Sequence, residues 1–541
     1  MSEGRIKRVV IAGGGTAGWI AACALTHQFR DLLEVTLVES DQIGTVGVGE
    51  STIPTIRTFH KLLQIDEREF MSEVAASFKL SISFENWLRP GHRYFHPFGR
   101  TGAGTWSCEF HHFWLDGLRR GIPSELGDYC LETAASRVNR FALTGQSNTA
   151  TPQWSTRWVG SPLSAEPEVS YAYHFDAALY AAYMRRKCEG YGLTRIEGKI
   201  QEVRQHPGSG FVQALVLDNG QVVEGDLFID CTGGRALLSE QTLKTGYEDW
   251  NNWLPSDRAV AWQTEATGPA VPYTRAIAHR AGWHWSIALQ HRIGCGTVFS
   301  SAHMSDDEAA ATLVAANPAP SLRDPWVIPF RTGRRRKAWN KNVIALGLAS
   351  GFIEPLESTS IHLTISAVAR LLHLFPNEGI DDSLVERYND VSRAEMEHVR
   401  DFIIMHYHLN QRDEPLWKQV REMTLPPALA QRIALFRDRA HAWQGEDELF
   451  RLDSWTHVML GQGVVPKQHQ QLARALPDAD LKRLFAAMRQ PIDRAVAAMP
   501  SHQEFLDSYC KAPQSAWDLM HKRAQAHAKV TAQSQQVHLG R

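Results

Sequence analysis

Two short segments of this chain carry residues that could do proton-transfer and nucleophilic chemistry. Lys79 lies in FKLSISFENW (78–87), an apolar and hydroxyl-bearing setting. A lysine buried there has a shifted pKa and can act as a donor or nucleophile, although a solvated strand residue is the commoner explanation. In GFIEPLESTSIHL (351–363), Glu354 and Glu357 stand beside three hydroxyl residues. Periodicity alone favours an ordinary helix N-cap here, and the alternative is an anion site next to a proton-accepting carboxylate.

A glycine-rich turn near the N-terminus predicts dinucleotide binding. Gly13, Gly15 and Gly18 follow the spacing G-x-G-x-x-G between a predicted strand and a predicted helix, and Glu39 ends the next strand. The glycines allow a tight turn, close approach of the backbone to a pyrophosphate, and tight packing of helix on strand. The helix N-terminus adds free N–H groups for the diphosphate. Glu39 suits a ribose without a 2′-phosphate, which favours FAD or NAD over NADP.

Three further segments could border the same ligand. DLFIDCTGG (226–234) resembles the second nucleotide-contact segment of flavoprotein monooxygenases and favours FAD, although alone it is equally well a buried strand and turn. IGTVGVGESTIPTI (43–56) is apolar and glycine-rich, so its backbone could lie flat against a planar ring. GWHWSIAL (282–289) places Trp283 and Trp285 on one face of a strand. Those two rings could wall off a cavity or simply pack in the core.

An α/β scaffold is needed to bring these residues together. Residues 6–11 and 35–40 predict strands around an alanine-rich helix, which is the start of a βαβ unit. Apolar spacing predicts a helix over 174–191, and alternating strands follow over 195–230. The stretch 80–170 is rich in aromatic residues, glycine and proline, and is predicted to be a loop-rich insertion.

The predicted fold class is α/β: an FAD-binding, Rossmann-like module of the flavin monooxygenase type with a mostly helical C-terminal part. We expect the FAD-binding module to span residues 1–375, and a helical substrate-side region, residues 376–541, to pack on it.

Composition excludes several classes of protein. The 57 Lys and Arg against 59 Asp and Glu give a net charge of −2, which provides no basic field for nucleic acid. No segment approaches the roughly 18 consecutive apolar residues that a membrane span needs. The 7 cysteines are scattered and lack a CxxC pair, which argues against a disulfide framework and for a reduced, cytoplasmic protein.

Histidine and arginine clusters are interpreted as structural. The 24 histidines include a pair at 111–112 and HYH at 406–408, but neither cluster belongs to an HxxxH, HExxH or carboxylate triad, so we expect no metal site. The basic run RTGRRRK (331–337) is isolated and is predicted to be a solvated turn.

Taken together, these segments are similar to those of the flavin-dependent halogenases of the tryptophan halogenase family. The resemblance spans Gly13 to Gln462 and rests on the glycine fingerprint, GVGESTIP, FKLSISFENW, WHWSI, EPLESTS and DFIIMHYHLNQRDEPLW, in family order. It implies a reaction that uses FADH2, O2 and chloride or bromide to form hypohalous acid. A tunnel would separate the flavin site from the organic substrate.

The resemblance also implies roles for individual residues. Lys79 would hold the hypohalous acid by hydrogen bonding or as a haloamine, and Glu357 would orient the oxidant or take the proton from the ring. The backbone N–H groups of Thr359 and Ser360 would bind the halide, although the family often has glycine at the latter position. The residues implied to contact FAD are Gly13, Gly15, Thr16, Ala17, Gly18, Glu39, Gly49, Glu50, Leu348 and Ile361.

Trp283 and Trp285 match the family's WxWxIP signature and would form the tunnel wall. Ala288 stands where the signature has proline, which raises the chance of a different chemistry. We expect the halogenase function to be kept, because both tryptophans are present.

The implied substrate site contains His96 and Phe98, which match the family's ring-sandwich position. Trp455 lies in the segment 449–463, where family members acting on free tryptophan carry paired tyrosines, and this chain has no such pair. A zwitterion needs charge-assisted partners. The prediction is therefore an indole or substituted indole rather than L-tryptophan.

The expected partners are a separate NAD(P)H flavin reductase, a small aromatic substrate, and a second copy of the chain in a homodimer. A separate reductase is expected because no second nucleotide fingerprint is present. Three alternatives remain: an NAD(P)H-linked flavin aromatic hydroxylase, an L-tryptophan halogenase, and a catalytically silent flavin-binding protein. Lys79 and Glu357 argue against the last, since a silent relative need not keep both.

Overall fold

The computed structural model describes residues 4–42, 49–143 and 168–514, and a mostly parallel sheet lies at its centre. Strand Arg8–Ala12 is buried from Val9 onward, as expected for a parallel strand that is covered on both faces. It pairs in parallel with one strand on each side. The 6 strands lie in the spatial order Trp339–Asn340, Val343–Ala345, Leu227–Asp230, Arg8–Ala12, Glu34–Glu39 and Thr194–Glu197.

Helix Thr16–Phe29 packs against helices Ala177–Glu189 and Ser360–His373. A disulfide between Cys23 and Cys188 joins the first two of these helices. The expectation of reduced cysteines is therefore wrong at this pair, whose partners are 165 residues apart in the sequence. The remaining cysteines are free and buried.

A second, 7-stranded sheet is mostly antiparallel and carries both tryptophans of the WHWSI segment. Its strands lie in the order Ser321–Pro329, Arg258–Glu265, Arg292–Phe299, Gly282–Ala288, Tyr273–His279, Ser81–Glu85 and Arg93–Pro97. The last two strands belong to the stretch 80–170, and that stretch also contains the helices Phe110–Arg119 and Leu131–Arg137. Its described part is thus more regular than the loop-rich insertion we predicted. Pairing of strand Ser81–Glu85 with the distant strand Tyr273–His279 outweighs the local glycine and proline content. Residues 144–167 lie outside the described residues.

Three small sheets of 3 strands complete the β structure. One of them contains Gly333–Arg335, where Arg334 and Arg335 are each only 8% exposed and pair with Glu248 and Glu240. The predicted solvated turn is therefore wrong for these two arginines, whose charges are neutralised by residues distant in the chain. The three sheets are Val222–Glu224, Val212–Leu217 and Ile200–Gln205; Tyr247–Asp249, Gly333–Arg335 and Gly351–Phe352; and Gly49–Ser51, Ala172–Asp176 and Ser77–Lys79.

Among residues 374–514 the structure shows helices and connecting segments and no strand. The domain boundary near residue 375 stays a prediction. No helix of the described ranges is long and apolar enough to cross a membrane. The remaining α-helices are Thr55–Leu62, Glu67–Glu73, Asp306–Ala316, Asp382–His408, Pro415–Glu422, Pro427–Arg439, Leu452–Gly461, Asp478–Ala498 and His502–Tyr509.

Candidate active site

A cavity of about 1940 Å³ opens beside the carboxyl end of strand Arg8–Ala12. It is large enough to enclose a dinucleotide, and it lies where open α/β sheets bind their ligands. Nine of the ten residues expected to contact FAD line it; Gly18 does not. These nine are Gly13, Gly15, Thr16, Ala17, Glu39, Gly49, Glu50, Leu348 and Ile361.

Two glycines of the fingerprint have no room for a side chain. Gly13 adopts a φ of 108°, and a Cβ atom there would lie 2.3 Å from the carbonyl oxygen of Cys231. A Cβ at Gly18 would lie 1.9 Å from the carbonyl oxygen of Gly13. Gly18 therefore allows the turn to close, while Gly13 lets the segment 226–234 reach the cavity. This cradle of bare backbone fits the pyrophosphate of a dinucleotide.

Glu39 lines the cavity and pairs with an arginine that the sequence analysis did not single out. Its Oε1 accepts from Nε of Arg195 at 2.6 Å. This ion pair fixes the carboxylate at the end of strand Glu34–Glu39, and the lone pairs left over can accept from ribose hydroxyls.

Lys79 is fully buried and is held by two acceptors. Its Nζ donates to the carbonyl oxygen of Thr52 at 3.0 Å and to Oγ of Ser358 at 2.9 Å. The ammonium also lies 4.9 Å from the centre of the Phe98 ring. Burial lowers the pKa of Lys79 to about 7, although the negative charge of Glu357 opposes the shift. Both the ammonium and the amine are therefore accessible near neutral pH.

Glu357 is 1% exposed and lies between two imidazoles. Nδ1 of His96 is 2.8 Å from Oε2, and Nε2 of His406 is 2.9 Å from Oε1. Burial alone would raise the pKa of Glu357, but these two histidines outweigh that effect and hold it at about 2. The carboxylate is therefore ionised throughout the neutral range.

The tautomer of His406 follows from its second contact. Its Nδ1 lies 2.8 Å from the carbonyl oxygen of Phe402, which can only accept, so Nδ1 carries a hydrogen. The sequence pattern indicates structural histidines at 406–408, whereas the fold brings His406 into contact with Glu357.

Helix Ser360–His373 begins three residues after Glu357. The N-cap residue, Thr359, makes no side-chain capping hydrogen bond, and Glu357 binds histidines instead of capping the helix. The ordinary capping box is therefore not formed here. Ser358 adopts a φ of 59°, and Ser358 and Ser360 line the cavity. The halide role of Thr359 and Ser360 stays a prediction.

Trp283 and Trp285 both line the cavity, with ring centres 6.2 Å apart. Nε1 of Trp283 donates to Oε1 of Glu354 at 3.0 Å, and the hydroxyl of Tyr407 donates to the same oxygen at 2.7 Å. Burial raises the pKa of Glu354 to about 7. Glu354 thus fixes the orientation of one wall ring, a role that the sequence analysis did not assign.

The three residues expected to hold the substrate ring are buried and are not among the residues that line the cavity. His96 contacts Glu357, and Phe98 lies beside Lys79. Trp455 packs edge-on against Phe402, with ring centres 4.8 Å apart. Their role in binding a substrate ring stays a prediction. Within residues 4–42, 49–143 and 168–514, no group of three or more metal-ligating side chains is present.

The shifted pKa of Lys79 predicts a specific dependence of stability on pH. Between pH 7 and the ordinary lysine value of 10.5, the unfolded chain binds a proton that the folded chain has released. The free energy of unfolding should therefore rise with pH in this window, by about 5 kcal/mol as an upper bound. Denaturant titrations of the parent and of Lys79→Met should differ in slope over this range. Parallel pH dependences would contradict a depressed lysine pKa.

Comparison with known proteins identifies the class to which this fold and cavity belong. The sequence model of the tryptophan halogenase family matches residues 8–478. The chain belongs to the tryptophan halogenase family, and it is a flavin-dependent halogenase.

Individual relatives match over nearly the whole chain. A flavin-dependent halogenase from Xanthomonas campestris is 47% identical, with a TM-score of 0.89 over 94% of this chain and 99% of its own. Another from Brevundimonas sp. BAL3 is 41% identical, with a TM-score of 0.87 over 94% and 100%. The tryptophan 6-halogenase SttH of Streptomyces toxytricini is 33% identical over 92% of this chain and 97% of its own. These matches confirm the predicted family and the α/β, FAD-binding Rossmann-like fold class.

Proposed function

We propose that this halogenase chlorinates or brominates an electron-rich aromatic ring, an indole or indole derivative, with FADH2, O2 and halide as co-substrates. One observation carries the proposal: Lys79 lies outside the cavity but binds Ser358, which lines it. Only the hydroxyl of Ser358 would therefore separate a small oxidant that forms in the cavity from Nζ of Lys79, the nitrogen that accepts the halogen. A bulky substrate kept beyond Trp283 and Trp285 would meet the oxidant only at Lys79.

The cavity residues fit a bound flavin. The bare backbone at Gly13 and Gly15 would hold the pyrophosphate, and Glu39 would hold the ribose. Glu50 lies on the cavity wall, and burial raises its pKa to about 7. Reduced FAD bound there would supply the two electrons that activation of O2 requires. The backbone N–H groups of Thr359 and Ser360, at the start of a helix, would hold the halide.

Lys79 and Glu357 would then carry out the halogen transfer. As an ammonium, Lys79 donates a hydrogen bond to hypohalous acid; as an amine, it exchanges a hydrogen for the halogen and releases water. When a ring carbon attacks the halogen, a carbon–halogen bond forms, the bond from the halogen to oxygen or to the Lys79 nitrogen breaks, and the ring carries a positive charge until that carbon loses its proton. The carboxylate of Glu357 stabilises that charge and accepts the proton, because the cationic ring is a much stronger acid than a carboxylic acid.

The chemistry around Trp455 supports an uncharged substrate. The nearby guanidinium of Arg432 lies 4.0 Å from the Trp455 ring and makes two hydrogen bonds, of 2.9 and 2.6 Å, to Glu448. Its charge is thereby neutralised, so it does not offer a free clamp for the carboxylate of an amino acid. The segment 449–463 has no tyrosine. These features favour indole over L-tryptophan.

The remaining parts of the proposal concern partners and location. A separate NAD(P)H-dependent flavin reductase would supply FADH2, and the enzyme would act in the cytoplasm, as a homodimer. Because the matching enzyme from Streptomyces toxytricini is named a tryptophan 6-halogenase, L-tryptophan is the second candidate substrate. The alternative reaction is NAD(P)H-linked hydroxylation of an aromatic ring.

A substrate panel tests the proposal. With FAD, a flavin reductase, NADH, O2 and bromide, we expect bromoindole to form from indole at least about tenfold faster than bromotryptophan from L-tryptophan, since one unmatched charged group costs about that much or more. Mass spectrometry reads the bromine isotope pattern directly. Reactions without bromide, and reactions with chloride, serve as controls. Hydroxyindole as the sole product would show that the chain is a hydroxylase, and faster turnover of tryptophan would reverse the proposed substrate preference.

A further inference from the structure

A continuous chain of hydrogen bonds runs from Lys79 along the cavity wall to a buried histidine. Oγ of Ser358, which accepts from Lys79, donates to Oγ of Ser51 at 3.0 Å. Oγ of Ser51 lies 2.8 Å from Oγ1 of Thr274, and Oγ1 of Thr274 lies 2.8 Å from Nε2 of His174. The three hydroxyl residues line the cavity, whereas Lys79 and His174 are fully buried. We call this sequence of contacts the hydroxyl chain.

The far end of the hydroxyl chain determines the direction of every bond in it. Oγ of Ser77 donates its one hydrogen to the carbonyl oxygen of Ala288 at 2.5 Å, and that carbonyl can only accept. Ser77 must therefore accept from Nδ1 of His174, which is 3.2 Å away. A neutral imidazole with its hydrogen on Nδ1 has a free lone pair on Nε2. Thr274 consequently donates to His174.

The remaining hydrogen bonds of the hydroxyl chain, from Thr274 to Lys79, have their directions set by the same rule. A hydroxyl has one hydrogen to donate, so Thr274, having donated to His174, must accept from Ser51. Ser51 in turn accepts from Ser358, and Ser358 is left with a lone pair facing Nζ of Lys79. Ser358 is thus an obligatory acceptor for Lys79, because its own hydrogen is committed away from the lysine.

We propose that His174 is a positioning residue for Lys79: it orients the three hydroxyls so that Ser358 accepts from the lysine and favours its ammonium form. The inference rests on the proposed function only for its effect on turnover. If every hydrogen bond of the hydroxyl chain ran in the opposite direction, His174 would donate from Nε2 and Ser358 would donate to Lys79. That arrangement would favour the neutral amine of Lys79 instead. His174 touches neither the cavity nor the substrate side and acts through Lys79 alone.

The surroundings of His174 keep it neutral. It lies on the middle strand of its sheet, with Gly49–Ser51 on one side and Ser77–Lys79 on the other. Burial lowers its pKa well below the usual value, and the positive charges of Lys79 and His502 act in the same direction. The other charged groups on these three strands and on strand Arg292–Phe299 are Glu50, Asp176 and Arg292, the last two of which pair with each other. The hydroxyl of Tyr173, next to His174, donates to Glu67.

Two measurements test the proposal without requiring turnover. In nitrogen NMR of the parent protein labelled in the histidine rings, with the signal assigned by its loss in His174→Gln, we expect Nδ1 of His174 to be protonated and Nε2 to be bare. In carbon NMR of labelled lysine, assigned by Lys79→Met, we expect Thr274→Val to lower the titration midpoint of Lys79 by about one pH unit, or about 1.4 kcal/mol. Thr274→Ser, which keeps the hydroxyl, should restore the midpoint of the parent.

Ser77→Ala provides an independent test, because it removes the group that fixes the tautomer without touching Lys79 or the cavity. It should lower the Lys79 midpoint in the same direction. The pH limb of kcat that reflects Lys79 should move with the midpoint in each variant, with KM for indole unchanged. The proposal is overturned if Nε2 of His174 carries the hydrogen in the parent, or if Thr274→Val and Thr274→Ser give equal midpoints. Those NMR results stand even if no substrate is halogenated, so they separate this inference from the proposed function.

Discussion

Replacing Lys79 with alanine is expected to abolish halogenation while leaving FAD binding intact. Lys79 supplies the only described ammonium that binds Ser358, and the cavity proposed to bind FAD does not include its side chain. The loss in kcat should be about 10³-fold or more, toward the upper range for a positioned acid–base group. Rates of bromoindole formation with saturating FADH2 and bromide measure this loss, and titration of protein fluorescence with FAD measures binding.

Two control variants separate chemistry from folding in that experiment. Lys79→Met keeps most of the buried hydrocarbon stem and should be as inactive as Lys79→Ala while unfolding at a temperature closer to that of the parent. Lys482→Ala removes an exposed lysine of helix Asp478–Ala498 and should retain full activity. Turnover above about 10% of the parent rate in both Lys79 variants would remove this residue from the mechanism.

The second large effect is expected from Glu357→Gln. The glutamine keeps the shape of the side chain but removes the negative charge that faces His96 and His406. We expect kcat to fall about 10²-fold, the typical cost of losing one group that stabilises developing charge, with little change in KM for indole. The midpoint of Lys79 should also fall, because the charge of Glu357 raises the pKa of that lysine. Steady-state kinetics and NMR titration of labelled lysine measure these two effects.

Glu395→Gln is the matched control for this variant. Glu395 is a largely buried carboxylate beside a histidine, with a side chain that is 12% exposed. Its Oε1 lies 3.4 Å from His362 and its Oε2 lies 2.7 Å from Arg370, and its pKa is likewise lowered to about 2. Its replacement imposes a similar disturbance of a buried ion pair away from Lys79. If both glutamine variants lose kcat equally, the effect of Glu357 is structural rather than catalytic.

Local sequence patterns were sufficient to predict the strand, turn and helix at the start of the Rossmann-like part of the fold. The run Arg8–Ala12 and the glycines that follow it define strand, turn and helix within a few residues, so short-range constraints determine their structure. The positions of Lys79 and Glu357 relative to each other were accessible only through the family resemblance. The hydrogen bond from Lys79 to Ser358, the residue after Glu357, spans 279 residues, a distance at which no periodicity carries information.

The failures have a common physical origin in long-range pairing. His406 and His408 are two positions apart on helix Asp382–His408 and therefore point to different sides, and only tertiary packing decides which imidazole meets Glu357. Arg334 and Arg335 are buried because Glu248 and Glu240 arrive from another part of the chain. A charged run considered alone looks solvated, since its partners are not visible nearby in the sequence.

The contacts that assemble the reactive site have a consequence for how the chain folds. Lys79 meets Ser358 across 279 residues and His96 meets Glu357 across 261 residues, so large loops must close before either contact forms. Closing such loops costs conformational entropy, and topologies rich in distant contacts fold slowly. A nascent chain that ends before residue 357 has its lysine but neither of these partners. The proposed halogen transfer through Lys79 and Glu357 therefore requires that the chain has been made and docked beyond residue 358.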